Sequence, residues 1–211
     1  MDILLEGGAA LEKRDYTLIV DRSQSMAMPA DKGGRSRWEL MQTSTLELAT
    51  YCEHFDPDGI AIYLFADDFQ RYDRITSDHI GELFKDRKPA GKANLGAVLK
   101  DATDRYFERR AMERSQPNGE TILVVTGGEI VNPLLEIKRI LVNASNQLSH
   151  EEELAIELIS VGADARATEF FRMLDDELQA SGAKYDICDT VTLEDVEEIS
   201  LTDVLLRAIT D

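Results

Sequence analysis

Tyr16-Thr17-Leu18-Ile19-Val20-Asp21-Arg22-Ser23-Gln24-Ser25 decides how the rest of the chain is read. Its first half is a short, mostly apolar run rich in β-branched and aromatic residues, as expected of a strand covered on both faces. The run stops at Asp21, and three oxygen-bearing side chains, Asp21, Ser23 and Ser25, then follow at alternate positions. Alternation lets all three turn toward one point from a loop leaving the strand. Oxygen-only ligands suit a hard divalent cation such as Mg²⁺, Mn²⁺ or Ca²⁺ better than Zn²⁺. Neutral hydroxyls are weak ligands, so such a metal stays electrophilic and open to a carboxylate from elsewhere. A plainer reading stays open beside it, in which Asp21 and the serines hold the loop by local hydrogen bonds.

Outward from this stretch, apolar runs alternate with amphipathic ones. Strands are expected at Ile60 to Phe65, Thr121 to Thr126, Leu154 to Val161 and Tyr185 to Cys188, with an edge strand at Gln70 to Ile75 turned back through Asp67-Asp68. The turns Asp56-Pro57-Asp58-Gly59 and Pro117-Asn118-Gly119 lead into two of them. Helical spacing falls at Trp38 to Phe55, Ser77 to Phe84, Leu95 to Met112, Pro133 to Leu148 and Thr168 to Ala180, and again after Thr192. Strands buried on both faces and alternating with helices imply an α/β fold. Its central sheet is doubly wound and mostly parallel, with helices on both faces, a Rossmann-like arrangement. Residues 1–14 read as an N-terminal extension and 15–211 as one domain, a size that fits the length of 211 residues.

Composition narrows the partners. With 41 acidic and 23 basic residues the net charge is −18, a field that repels nucleic acid and anionic membrane. Solubility alone accounts for such a balance in an acidic protein. No apolar run is long enough to span a membrane, and Met1-Asp2-Ile3-Leu4-Leu5-Glu6 lacks a basic leader, so a cytoplasmic chain is expected. Cys52 and Cys188 form no C-x-x-C pair and read as buried thiols. His54, His79 and His150 are scattered, and no glycine-rich phosphate loop is present, so neither a histidine metal site nor a nucleotide is expected. Lys32, Arg35 and Arg37 form a basic cluster near the motif, and Met26 and Met28 are expected to add apolar contact at the binding face.

The D-x-S-x-S motif at the end of the first strand, with the other landmarks in order, resembles the von Willebrand factor A (vWA) family, in its stand-alone intracellular bacterial type. In that family the motif is the first part of a metal-ion-dependent adhesion site (MIDAS). The resemblance runs from about Tyr16 to the C-terminus and implies a protein-binding module, not an enzyme, with a partner acid completing the metal shell. Two parts of the family pattern are missing. In Gly91-Lys92-Ala93-Asn94-Leu95, Ala93 holds the usual threonine position, and in Thr126-Gly127-Gly128, Gly127 holds the usual aspartate position. Affinity of an oxygen site depends on ligand charge and number, so any divalent cation on Asp21, Ser23 and Ser25 would be weakly held. Asn94 is a poor substitute, and Asp67 and Asp68 would add only outer charge. Two alternatives stand beside the binding module. One is a Mg²⁺-dependent hydrolase or phosphatase using Asp21, disfavoured because Ser23 replaces the second acid such enzymes use. The other is a metal-free structural scaffold.

Overall fold

The structure, a computed structural model, describes residues 9–30, 34–127, 129–162, 165–193, 204 and 207–209. Six strands form one sheet: β1 (Asp15–Asp21), β2 (Ile60–Phe65), β3 (Phe69–Ile75), β4 (Glu120–Thr126), β5 (Leu154–Ser160) and β6 (Cys188–Thr192). Their order is β3-β2-β1-β4-β5-β6, with β3 antiparallel to β2 and every other pairing parallel. The chain builds outward from β1 to β3, then returns to β1's other side to lay down β4. The strand order therefore reverses at β1/β4, where open α/β sheets place ligands, beyond the carboxyl ends of the strands.

Alternate residues along the central strands feed two cores. Leu18, Val20, Leu123, Val125 and Ile159 meet Trp38, Met41 and Leu48 of α1 (Arg37–Cys52) and Ile80 and Phe84 of α2 (Ser77–Phe84). On the other face Ile19, Ile122, Val124, Ile156 and Leu158 meet α3 (Leu95–Ala111), α4 (Leu134–Ser145) and α5 (Ala165–Asp175). This is the doubly wound arrangement that two-sided burial of the strands requires. Trp38 is a core residue, packed edge-on against Phe84 at 5.5 Å between ring centroids. Cys52 and Cys188 are buried free thiols. Leu11 is fully buried in the first core, and the Tyr16 hydroxyl donates to its carbonyl, so the residues just before β1 pack with the sheet.

Several boundaries differ from the sequence expectation, among them the end of α1, which stops at Cys52 instead of Phe55. The last strand starts at Cys188, because the backbone around Tyr185 and Asp186 is engaged by side chains instead of a neighbouring strand. The Ser145 hydroxyl donates to the Tyr185 carbonyl and accepts from its N–H, both at 2.8 Å, while the Asp186 N–H donates to Glu151. α5 starts at Ala165 and stops at Asp175, and Gln179–Ser181 form a separate 3-10 turn that ends at Gly182 with φ 106°. α4 ends at Ser145, the residue that holds Tyr185. Much of the helical pattern expected after Thr192 lies outside the described residues, as do Met1 to Glu6, Lys32 and Gly128. Among the described residues no helix is long and apolar enough to cross a membrane.

Candidate functional site at the strand ends

Asp21 is the last residue of β1, and the loop after it is fastened on two sides. The Arg22 N–H donates to the Phe65 carbonyl at 2.7 Å, and Arg22 and Gln24 exchange backbone hydrogen bonds with Ala90 and Gly91. Ser23 precedes a 3-10 turn, Gln24–Ala27, closed by Met26 N–H to the Ser23 carbonyl. The motif thus folds into a compact turn with Asp21, Ser23 and Ser25 all buried. Their oxygens face one another as the alternation implied, and the Ser23 and Ser25 hydroxyls lie 2.9 Å apart in a mutual hydrogen bond.

The Asp21 carboxylate is fully buried and supplied with protein donors. The Ser23 N–H donates to Oδ1 at 2.6 Å, and the Thr126 hydroxyl, at the end of β4, donates to Oδ2 at 2.7 Å. The Ser23 hydroxyl and the Gly127 N–H act in the same direction. Burial still dominates and raises the Asp21 pKa above the ordinary aspartate range, with these donors pulling it back.

The two departures from the family pattern lie where they matter. Ala93 is fully buried, its backbone bridged to Ile130, and it presents a methyl group in place of a hydroxyl. Asn94 does not replace it. Its Oδ1 caps α3 by accepting from the Ala97 N–H and also accepts from Asn132. Asp67 faces the loop at Gly91 and accepts the Lys92 N–H. At Gly127 the space of the missing carboxylate is taken by Arg37. A Cβ at Gly127 would lie 2.8 Å from Met26 Sδ and 3.2 Å from Arg37 Nη1, and Nη1 donates to the Gly127 carbonyl at 2.9 Å. A Cβ at Gly162, just past β5, would lie 2.8 Å from Arg37 Nε. Arg37 is held there by a capping box, in which Ser36 and Glu39 satisfy each other's N–H, and by its own N–H to the Met28 carbonyl.

This donor set does not fit a divalent cation. One carboxylate engaged by protein donors, two hydroxyls bonded to each other, a methyl and a nearby guanidinium replace the charged oxygens such an ion needs. Among the described residues no group of three His, Cys, Asp or Glu side chains could hold a metal. Met26, expected at the binding face, is instead fully buried beside Gly127, whereas Met28 is 54% exposed. The sequence reading missed the roles of Thr126 and Arg37. The available signal was a glycine just beyond each of the adjacent strands β4 and β5, room that a large side chain from another element fills.

A hollow of about 530 Å³ lies at the opposite end of the sheet, lined by Asp15, Asp56, Arg71, Arg109 and Glu120 among others. Much of its charge is paired within the chain, Arg109 with Glu120 and Asp15, and Arg71 with Asp73. This hollow lies away from the motif, and the motif's chemistry carries more weight than the size of a hollow.

No family model and no curated protein matches the sequence. Solved structures do match in fold. The VWA domain of SpRpn10 aligns with a TM-score of 0.61 at 16% identity, over 90% of this chain and 96% of that one. Manganese-loaded Plasmodium vivax TRAP protein aligns with a TM-score of 0.58 at 16% identity, over 93% of this chain and 72% of that one. A D319A mutant of the PilB minor pilin from Streptococcus sanguinis aligns with a TM-score of 0.58 at 11% identity, and this chain spans 59% of its length. With the strand order and the position of the motif, these likenesses establish that the chain has the α/β fold of vWA domains.

Proposed function

We propose that the chain is a protein-binding module, not an enzyme, and that it presents the strand-end face around Asp21, Ser23 and Ser25 to a protein partner without needing a metal. The observation that carries this reading is the motif's placement at the β1/β4 switch point of a vWA-type fold. vWA folds commonly mediate protein–protein contact, and the site's position is retained here although its metal-ligand set is not. Asp21 makes a poor nucleophile: its carboxylate is fully buried, and both oxygens accept hydrogen bonds from the protein. A phosphoryl group could reach it only by displacing Thr126 and the turn.

The test is site-specific photo-crosslinking in extract of the source cell. A benzophenone amino acid at exposed Met28 or Lys92, both on the strand-end face, is expected to give a discrete, light-dependent adduct with a partner. The same label at exposed Met112, at the far end of α3, is the control. Adducts from Met112 alone, or from no position, would remove the strand-end face as the binding surface.

A further inference from the structure

We propose that the Arg37 guanidinium has taken over the metal's electrostatic role, making the strand ends a metal-independent receptor for carboxylates of an acidic partner segment; this rests on the binding-module reading above. A vWA-type metal site places a positive charge at the carboxyl ends of β1 and β4. Here the guanidinium of the first residue of α1 lies against Gly127 and Gly162, at the carboxyl ends of β4 and the adjacent β5. Loss of a side chain at 127 removes a negative charge and opens the volume that the guanidinium fills. The two changes therefore act together, from a site that collects a cation to one that contains it.

Arg37 has hydrogen-bonding capacity to spare. Nη1 is used on the Gly127 carbonyl, while Nε is buried and has no acceptor among the described residues. A buried donor without a partner is costly, and a guanidinium fork matches a carboxylate in two parallel hydrogen bonds. Asp21 does not serve as the internal partner, since its oxygens are held by Ser23 and Thr126.

The surroundings select the same ligand class. On a chain of net charge −18, the loops at this end of the sheet carry Arg22, Arg35, Lys88 and Lys92 in addition to Arg37. The Arg22 guanidinium reaches the Lys88 carbonyl, and Ala30 and Arg35 are joined by a backbone hydrogen bond in the ribbon that leads into α1. Nearby acids are partly occupied: Glu39 caps Ser36, and Asp67 accepts from Lys92 N–H. Exposed Met28 adds an apolar contact at the rim. Such a surface attracts an acidic segment, while the acidic exterior elsewhere on the chain repels it.

The experiment is an NMR titration of the whole chain with hexaglutamate, and with hexaglutamine as the uncharged control, following backbone amides and arginine Nε–H signals. Hexaglutamate alone should shift Arg37 Nε–H and the amides of Gly127 and Gly162. Its affinity should be the same in EDTA and in millimolar MgCl₂ at matched ionic strength. Arg37→Gln should weaken it at least about fivefold, with Arg37→Lys intermediate because charge remains but the fork is lost. Thermal melts of both variants establish that they fold. Binding abolished by EDTA, or equal in Arg37→Gln and the unaltered chain, overturns the proposal. If Arg22→Gln and Lys88→Gln weaken binding while Arg37→Gln does not, the strand-end face stands and the role of Arg37 falls. If hexaglutamate does not bind, or shifts only residues near Arg71, Arg74 and Arg114 at the opposite end, this proposal fails; the crosslinking from Met28 and Lys92 then decides the binding-module reading separately.

Discussion

Asp21 and Asp56 are both buried aspartates, but the chain supports them differently. Asp21 receives hydroxyl donors in addition to backbone N–H groups, whereas Asp56, 7% exposed in the turn before β2, is held by the N–H groups of Tyr16 and Asp58 and faces the charge of Asp15. Burial first, and Asp15 second, push the Asp56 pKa from 3.8 up to about 6. The folded chain then binds this proton more tightly than the unfolded one. The stabilising contribution is complete below 3.8 and is lost as pH rises through about 6. Asp56→Asn keeps an acceptor for both N–H groups and removes the charge, so it should stabilise the fold at pH 7.5 by about 1–2 kcal/mol, allowing for partial solvent screening. Urea unfolding at pH 7.5 and pH 4 checks this: the advantage should vanish at pH 4, and an equal advantage at both would exclude charge burial as the cause. At the same scale, Asp21, Ser23 and Ser25 were legible from spacing alone. Thr126 and Arg37 were not, because their contacts span 105 and 90 residues and no local pattern reports them.

Elements were legible where the chain's own periodicity decides them, and shifted where a distant side chain does. β1, β2, β4 and β5 follow their apolar runs closely, because burial on both faces leaves few polar residues to blur the ends. β6 is displaced because Ser145 and Glu151 capture the backbone before it. Arg14 is the strongest case of an element position set from elsewhere. Its buried guanidinium donates from Nε to the Thr121 hydroxyl at 2.6 Å, from Nη2 to the Glu120 carbonyl at 3.0 Å, and from Nη1 to the Glu152 carbonyl at 2.8 Å and to Asn118. It joins the entry of β1 to the starts of β4 and β5, holding the register whose far ends carry Asp21, Thr126 and Gly162. Burial lowers its pKa to about 10, so it remains charged at neutral pH. Arg14→Met fills similar space but leaves these acceptors without a donor, and should cost about 2–4 kcal/mol in urea unfolding. Arg14→Lys should recover only part of the loss, since one ammonium cannot reach every acceptor. A change within about 0.5 kcal/mol for Arg14→Met would mean water replaces the guanidinium, and the staple would not be what sets the register.

For the molecule as a whole, a net charge of −18 complicates any test of metal dependence. Divalent cations screen so acidic a surface whether or not they occupy a site, so stabilisation by Mg²⁺ means little by itself. A specific site has a different signature. Binding to the folded state alone adds RT ln(1 + [L]/Kd), so a site with a Kd of about 0.1 mM would contribute about 2 kcal/mol at about 5 mM Mg²⁺. In a domain of this size that corresponds to a rise in Tm of about 4–8 °C. The donor set at Asp21 predicts no such increment: Mg²⁺, Mn²⁺ and NaCl at equal ionic strength should raise Tm equally, within about 1 °C. Restoring the missing ligands by Ala93→Thr and Gly127→Asp should still give no metal-specific rise while Arg37 is present, because the Cβ of the new side chain would lie 3.2 Å from Nη1 and its carboxylate would pair with the guanidinium. Adding Arg37→Ala to that pair should let the metal-specific increment appear. A specific increment in the unaltered chain would show that Asp21, Ser23 and Ser25 hold a cation despite the guanidinium. An increment in the double variant would show that Arg37 yields the site, and its placement would then be a resting position that an acid can displace.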